Sequence, residues 1–335
     1  MTGPRDFFGA ARIRPDAVST ARIALPACLL FATLLSLTGG SVSALASSLN
    51  GFELVDALIP AAEIIRGGPP KDGIASVDHP RFISPDEAKL KPEQRVMGVS
   101  FAGQVRAYPI NILNRHEVVN DRFGGYYVAI TYCPLCGSGM VFRAPEPDQA
   151  LTFGVSGLLY NSDVLLYDRE TESLWSQLLM QAISGPRSGE KLKLLTASHT
   201  NWQDWLKRFP DTQVLSEETG FDFDYARDPY EGYKNSGDVW FPVANQNSAY
   251  SNKEWVMGVV IDDLAKAYPF RELELTSGDF IDEINGQSVR IVWSKNARSA
   301  QIFNASGDEI PAVTAYWFAW FGFYPHTQVY RAADP

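Results

Sequence analysis

Two cysteines separated by two residues, Cys133 and Cys136, are the strongest candidates for chemistry in this sequence. They stand in the segment YYVAITYCPLCGSGMVF, residues 126–142, in which a β-branched apolar run ends at the first cysteine. This pattern predicts a strand up to Cys133, and Pro134 with the glycines that follow predicts a tight turn. Such a turn brings both sulfur atoms to one point, which suits a shared metal ion or a disulfide.

A metal site needs at least one further ligand, and His116 is the nearest candidate, in the bend that precedes the strand. If the bend folds back along the strand, its imidazole approaches the two thiols. Two thiolates with an imidazole suit copper or zinc, and an exported site of this composition favours copper. For an enzyme, a copper-dependent oxidoreductase is favoured over a zinc hydrolase. Glu117 or Asp168 would then act on protons, and Arg169 would hold the substrate.

Two other interpretations of the cysteine pair stay open. The pair is similar to the Cys-Pro-x-Cys of thiol-disulfide redox proteins, which place the first cysteine at a helix N-terminus. The strand predicted after Gly139 counts against that interpretation. A Cys133–Cys136 disulfide in a non-catalytic binding module, such as a metal chaperone or a solute-binding protein, is the remaining alternative.

Residues 1–46 have the pattern of a secretory signal peptide. A basic leader precedes the apolar stretch Ile23–Leu37, and the small residues of Ala44–Ala46 suit cleavage. We therefore expect a periplasmic or secreted protein, attached to a membrane only if this segment stays uncleaved. Of the 3 cysteines in the chain, the mature protein would keep two, in an oxidising compartment.

The chain has 335 residues and a formal net charge of −10 at pH 7. Because acidic proteins are repelled by phosphates, nucleic acid and anionic lipid surfaces are poor candidates for partners. We expect a small molecule or a metal ion as the ligand instead. The residues after the signal suffice for one large domain or two.

An internal similarity organises the chain. The segments that recur include 96–99 at 256–259, 107–109 at 267–269, and the tryptophans 202 and 205 at 317 and 320. The sequence therefore predicts a β-rich α+β fold made by tandem duplication of one unit. The predicted parts are an N-terminal leader (47–89), a first repeat (90–215), an inter-repeat loop (216–251) and a second repeat (252–335).

The two copies differ where chemistry is expected. Cys133 aligns with Ser294 and Cys136 with Ala297, so the second copy has lost the site. The first copy also carries an inserted segment, roughly 144–193, which has no counterpart in the second. The insert contains Asn161, Asp163, Tyr167 and Asp168, and strand alternation could aim some of these side chains at the same cleft as the cysteines.

Local patterns predict several elements. A hairpin is predicted with strands 96–101 and 105–110, and a short helix over 202–209 before Pro210. An apolar helix is predicted around 52–66, where Leu54, Leu58 and Ile65 share one helical face.

Three motifs, taken in order, resemble a known family. They are HEVVND at 116–121, TYCPLCG at 131–137, and YDR-x-T-x-SLW-x-Q at 167–177. The chain resembles the bacterial and archaeal proteins that are classed as a domain of unknown function and marked by the YCPLCG turn. The resemblance implies an exported or membrane-anchored protein, and it implies no activity and no cofactor.

Overall fold

The computed structural model describes residues 48–54 and 56–332. The predicted signal peptide, residues 1–46, lies outside the described residues. Strands far outnumber helices in the described part, so the predicted β-rich α+β class is confirmed. None of the helices in this part has both the length and the apolar character needed to cross a membrane.

The leader forms short strands rather than a helix. Its elements are β1 (Ser48–Leu49), β2 (Phe52–Glu53), a 3-10 turn (Ala61–Glu63), β3 (Ile65–Arg66) and β4 (Phe82–Ile83). The helix predicted around 52–66 is wrong. Pro60 lies inside that segment and cannot donate a backbone hydrogen bond, and the segment's two ends pair with other strands instead.

The hairpin predicted after the leader is confirmed, and it leads directly into the cysteine segment. The elements are β5 (Arg95–Phe101), β6 (Gln104–Pro109), α1 (Ile110–His116), β7 (Val118–Phe123), β8 (Tyr126–Cys133) and β9 (Ser138–Arg143). Strands β7, β8 and β9 are consecutive antiparallel neighbours. The cysteine turn is therefore the β8–β9 connection.

The inserted segment builds its own sheet. Its strands are β10 (Phe153–Tyr160), β11 (Asp163–Asp168), β12 (Leu174–Ser176) and β13 (Gln181–Ser184), in the order β13-β12-β11-β10-β3. The chain then returns to the cysteine sheet through β14 (Lys193–Leu195), which pairs with β9. The insert is thereby held beside the cysteine turn.

The predicted helix at 202–209 is confirmed as α2 (Trp202–Arg208). The Asn201 side chain accepts a hydrogen bond from the Asp204 backbone nitrogen, which caps the helix N-terminus. Strands β15 (Ser198–Asn201) and β16 (Gln213–Leu215) flank the helix. In the predicted loop 216–251, the described regular element is one short helix, α3 (Glu231–Lys234).

The remaining elements lie in the C-terminal part. They are β17 (Trp255–Ile261), β18 (Leu264–Pro269), α4 (Phe270–Leu273), β19 (Phe280–Ile284), β20 (Gln287–Ser294), β21 (Ser299–Phe303), β22 (Val313–Tyr316), α5 (Trp317–Phe323) and β23 (Gln328–Val329). The largest sheet runs β23-β18-β17-β22-β9-β8-β7, and two others run β15-β5-β6-β16-β4 and β19-β20-β21. The largest sheet thus joins the cysteine hairpin to the C-terminal part.

Strand registers recur between the two halves. Val96 pairs with Pro109 in β5–β6, and Val256 pairs with Pro269 in β17–β18. Gly98 on β5 lies under the Trp205 ring, and Gly258 on β17 lies under the Trp320 ring. Each glycine lets an indole pack directly on the backbone of its strand.

Gly98→Ala is expected to lower the free energy of unfolding by about 1–3 kcal/mol, because the added methyl overpacks a closed core. A Cβ at this position would lie 2.2 Å from a carbon of the Trp205 ring, and the same distance separates a Cβ at position 258 from Trp320. Urea unfolding of both variants should therefore show similar losses. Gly232→Ala is the control, since no atom lies within 4 Å of its added Cβ. Equal stability of all three variants would contradict the close packing.

Candidate functional site

The β8–β9 turn places both cysteines inside the protein. Strand β8 ends at Cys133, and the Cys136 backbone nitrogen donates to the Cys133 carbonyl oxygen at 3.2 Å. Gly137 then adopts a φ of +63°, and a Cβ there would lie 2.7 Å from the Trp255 ring. Glycine is therefore required at this position. Both thiols are buried, and neither is in a disulfide.

A tight turn of the insert delivers a carboxylate to the thiols. Asn161 and Ser162 have φ values of +48° and +67° and form the two-residue connection between the paired residues Tyr160 and Asp163. The Cys136 thiol donates to the Ser162 carbonyl oxygen at 3.3 Å.

One potential ligand atom from each of Cys133, Cys136 and Asp163 lies within 4.8 Å of the other two. We call these three residues the Cys/Asp cluster. Within the described ranges, it is the one group of three or more histidine, cysteine or acidic side chains close enough to share a metal ion. All three residues are almost completely buried.

Polar neighbours fix the orientation of the Asp163 carboxylate. The Leu178 backbone nitrogen donates to one of its oxygens at 3.2 Å, and the Ser138 hydroxyl lies 3.2 Å from the other. Gln177 accepts from Ser138 at 2.7 Å and donates to the Thr131 hydroxyl at 2.8 Å. The carboxylate is therefore held in one orientation before any ligand binds.

Burial has the largest effect on the pKa values of the three groups in the Cys/Asp cluster. It raises the pKa of both thiols, that of Cys136 more strongly, and it raises the pKa of Asp163 to about 7. Hydrogen bonds from Leu178, Cys136 and Ser138 oppose the shift of Asp163. Without a cation, the thiols are therefore protonated at neutral pH. A bound divalent ion would replace those protons and supply the missing positive charge.

Glu117 is the second buried acid near the cluster. It ends helix α1 in the left-handed conformation, with a φ of +57°, and its carbonyl oxygen accepts from the Tyr132 nitrogen at 2.7 Å. Burial raises the pKa of Glu117 to about 8, and the negative charge of Asp163 adds to this rise. Its carboxyl group has no hydrogen-bond partner within the part of the chain that is described. Most of the Glu117 carboxyl group is therefore protonated, and hence uncharged, at neutral pH.

The structure does not bring His116 into the cluster. Its Nδ1 atom lies 2.7 Å from the Ala75 carbonyl oxygen, and its Nε2 atom lies 2.6 Å from the Tyr225 hydroxyl. The rings of Phe221 and Phe223 pack against the imidazole. Both ring nitrogens are therefore already hydrogen-bonded, in a pocket formed with the 216–251 loop.

Asp168 and Arg169 lie at the other end of strand β11 from Asp163. Five residue steps of a strand separate Asp168 from Asp163 by about 16 Å. The Asp168 carboxylate accepts from the Thr171 nitrogen at 2.7 Å and the Trp175 indole at 2.8 Å. Arg169 donates to the Ser76 hydroxyl at 2.9 Å and lies 3.5 Å from carboxylate oxygens of Asp72 and Asp78. The hydrogen bonds and ion pairs of both residues therefore stabilise turns that are separate from the Cys/Asp cluster.

The 216–251 loop covers the cysteine turn, which the sequence analysis did not predict. The Tyr233 hydroxyl donates to the Leu135 carbonyl oxygen inside the turn at 2.9 Å. The Ala244 nitrogen donates to the Asn161 side chain at 2.9 Å. Burial raises the pKa of Tyr230, and the charges of Glu117 and Cys133 raise it further. The signal in the sequence was the recurrence of aromatic residues, from Phe221 to Tyr250, in a loop otherwise rich in Asp, Gly and Asn.

Comparison with known proteins gives one match. The model of a family described as "Protein of unknown function (DUF3179)" matches residues 71–309. That range contains the Cys/Asp cluster, Glu117 and the covering loop. No curated protein and no solved structure matches the chain.

Proposed function

We propose a function from the site itself, since the chain belongs to the DUF3179 family, whose description carries no activity. The chain is an exported metal-binding protein in which the thiolates of Cys133 and Cys136 and the carboxylate of Asp163 hold one transition-metal ion. The proposal rests on one observation. One potential ligand atom from each of the three residues lies within 4.8 Å of the other two, and all three residues are almost completely buried. Buried groups of this kind are stable when they coordinate a cation.

The donor set favours zinc. The preference for copper in the sequence analysis depended on the imidazole of His116, and the structure offers a carboxylate oxygen of Asp163 instead. Zinc accepts sulfur and carboxylate oxygen together, whereas copper(I) favours purely soft ligands. Copper is therefore the second metal to assay.

Three protein ligands leave the fourth position of a tetrahedral zinc ion open, as in catalytic zinc sites. Glu117 would hold or donate a proton in such a site, because burial and the charge of Asp163 raise the pKa of its carboxyl group to about 8. The Ser162 hydroxyl is buried and has no hydrogen-bond partner among the residues that the structure describes, and it belongs to the turn whose carbonyl oxygen accepts from the Cys136 thiol. These features support a water molecule or a small substrate beside the ion.

A thiol-disulfide redox protein is the second candidate function. It is favoured by the two free, adjacent thiols on a short turn. Oxidation would join the two sulfur atoms and pass two electrons to a partner disulfide, and Asp163 could accept one of the released protons. Titration of free thiols against a glutathione redox buffer tests this function.

Asp163→Asn is expected to weaken zinc binding by at least about tenfold, because the neutral amide is a poorer ligand and loses the charge that offsets the ion. His116→Gln should retain stoichiometric zinc, because both nitrogens of His116 are bonded elsewhere. Metal content of the full chain, purified under reducing conditions, and competition with a chromophoric chelator measure both effects. Loss of zinc in His116→Gln but not in Asp163→Asn would restore His116 as the third ligand.

We also propose that the chain is a tandem duplication, with the site in one copy. The shared β5–β6 and β17–β18 registers support this proposal, as do the Gly98–Trp205 and Gly258–Trp320 contacts. The parallel pairs of Gln213 with Arg106 and Gln328 with Lys266 agree with it. The second copy would then act as a scaffold.

A further inference from the structure

A cavity lies on the face of strand β8 opposite to the thiol of Cys133. Tyr132 lines this cavity, and the next residue, Cys133, points to the other face, since side chains alternate along a strand. The cavity has a volume of about 390 Å³, enough for a small organic molecule. Its charged and polar lining includes Arg95, His199 and Lys253, and no acidic residue lines it.

Arg95 is a half-buried cation at the wall of this cavity. Its guanidinium donates to the Ala297 carbonyl oxygen at 2.5 Å and to the His199 carbonyl oxygen at 2.6 Å. In the described ranges, Arg95 forms no ion pair. Burial lowers its pKa to about 10. The carbonyl groups therefore orient the guanidinium, and the charge of Asp204 acts on it only from beyond ion-pair distance.

Lys253 is a second cation of this kind. Its ammonium group donates to the Tyr233 and Ser236 carbonyl oxygens and lies 3.4 Å from the centre of the Tyr233 ring. No ion pair of Lys253 occurs within the described part of the chain, and burial lowers its pKa to about 8. By contrast, Lys234 and Arg298 at the cavity wall already pair with Asp228 and Glu274.

An unpartnered histidine provides an independent observation. His199 is 7% exposed and lines the cavity, and its Nδ1 atom has no hydrogen-bond partner among residues 48–54 and 56–332. Its ring packs edge-on against Tyr132 and Trp255 at centroid distances of 6.1 and 5.3 Å. Burial lowers the pKa of His199, and the nearby charges of Arg95 and Lys234 lower it further. A buried ring nitrogen without a protein partner can donate its N–H to an external acceptor.

We propose that this cavity binds a small organic anion. A carboxylate or phosphate head group would lie against Arg95, Lys253 and His199, and an apolar body would lie against Trp255 and Tyr316. Neither of these half-buried cations has an ion-pair partner among the described residues, and an oxyanion would supply a close counter-charge together with hydrogen-bond acceptors. The aromatic walls select an anion with an apolar part over a fully hydrated inorganic ion. This site does not depend on the proposed metal site.

Isothermal titration calorimetry of the full chain with benzoate, phenyl phosphate and benzyl alcohol tests the proposal. At least one of the two anions should bind and the neutral alcohol should not, and the tighter anion identifies the head group. Arg95→Gln and Lys253→Gln should each weaken that binding by at least about tenfold, because each removes a charged hydrogen bond. Arg81→Gln, which removes an exposed arginine outside the cavity, should leave binding unchanged.

The fold of each variant is first checked by circular dichroism. If Arg95→Gln fails to fold, Arg95→Lys, which keeps the charge, is assayed in its place. Absence of binding by both anions at millimolar concentration would overturn the proposal, as would equal binding of the alcohol. Unchanged affinity in the folded cavity variants would also overturn it. The same anion affinity in a Cys133→Ser chain would show that the cavity is independent of the metal site, whatever the outcome of the zinc assays.

Discussion

Cys133→Ser is expected to lower the zinc affinity of the chain by more than about 100-fold and to abolish stoichiometric zinc. Loss of groups that only orient a ligand costs about 10–100-fold, and loss of a ligand itself should cost more. The serine hydroxyl stays protonated at neutral pH and supplies no negative charge, whereas a cysteine thiolate is a strong zinc ligand. Elemental analysis of the purified chain and competition with a chromophoric zinc chelator measure the loss.

The chain supplies a matched control for this substitution. Ser294 aligns with Cys133 in the second predicted repeat and ends strand β20 as Cys133 ends β8. Ser294→Ala should therefore leave zinc binding unchanged. Equal zinc content in Cys133→Ser and the unsubstituted chain would rule out the metal site. If the unsubstituted chain carries no metal and its two thiols form a reversible disulfide, the redox function becomes the better account.

Local sequence patterns predicted the elements around the site better than the site itself. Alternation and turn residues were sufficient for the β5–β6 hairpin and for helix α2, because both are stabilised by neighbours close in sequence. The strand and turn that carry Cys133 and Cys136 were predicted for the same reason. The 52–66 helix failed because pairing with a distant strand of the insert outweighed the local apolar pattern.

The third member of the cluster could not be assigned from the sequence. Asp163 was predicted as a residue of the cleft, but its approach to Cys136 depends on a sheet built by the insert and on the turn at Asn161. His116 was predicted as the ligand because it precedes the strand. The left-handed residue Glu117 ends the helix directly after it, and the His116 ring is bonded to Ala75 and Tyr225. The His116 ring is therefore held by these hydrogen bonds and lies outside the Cys/Asp cluster.

The loop 216–251, which covers the cysteine turn, also makes contacts that the sequence could not predict. Its polar composition correctly predicted little regular structure, since α3 is its one described helix. Composition could not predict that Tyr233 would bond to the carbonyl of Leu135 or that Tyr230 would lie near Glu117. These contacts join segments about 100 residues apart, and such pairs leave no periodic signal.

Asp121→Ala is expected to lower the free energy of unfolding by about 3–5 kcal/mol, because it leaves a buried cation without its partner. Asp121 lies on β7, which leads into the cysteine hairpin. Its carboxylate is 2.5 Å from the Arg106 guanidinium and accepts from the Tyr108 hydroxyl. The Arg106 guanidinium is also sandwiched between aromatic rings at 4.4 and 4.6 Å, so it cannot easily move to water. Urea unfolding measured by tryptophan fluorescence tests the loss.

Asp282→Ala is the matched comparison, since Asp282 pairs with Lys266 at 2.6 Å and accepts from Tyr268 at 2.8 Å in the other half. Its side chain is 19% exposed, against 6% for Asp121. Lys266 and Arg106 are equally exposed, at 11%, but the position that Asp282 vacates lies nearer to water. Water can therefore replace the carboxylate beside Lys266 in part, and the expected loss is smaller, about 1.5–3 kcal/mol. Adding Arg106→Met to Asp121→Ala should recover part of the stability, because the unpaired charge is then removed. If the double variant is as unstable as the sum of its two single variants, burial of the charge is not what makes Asp121 necessary.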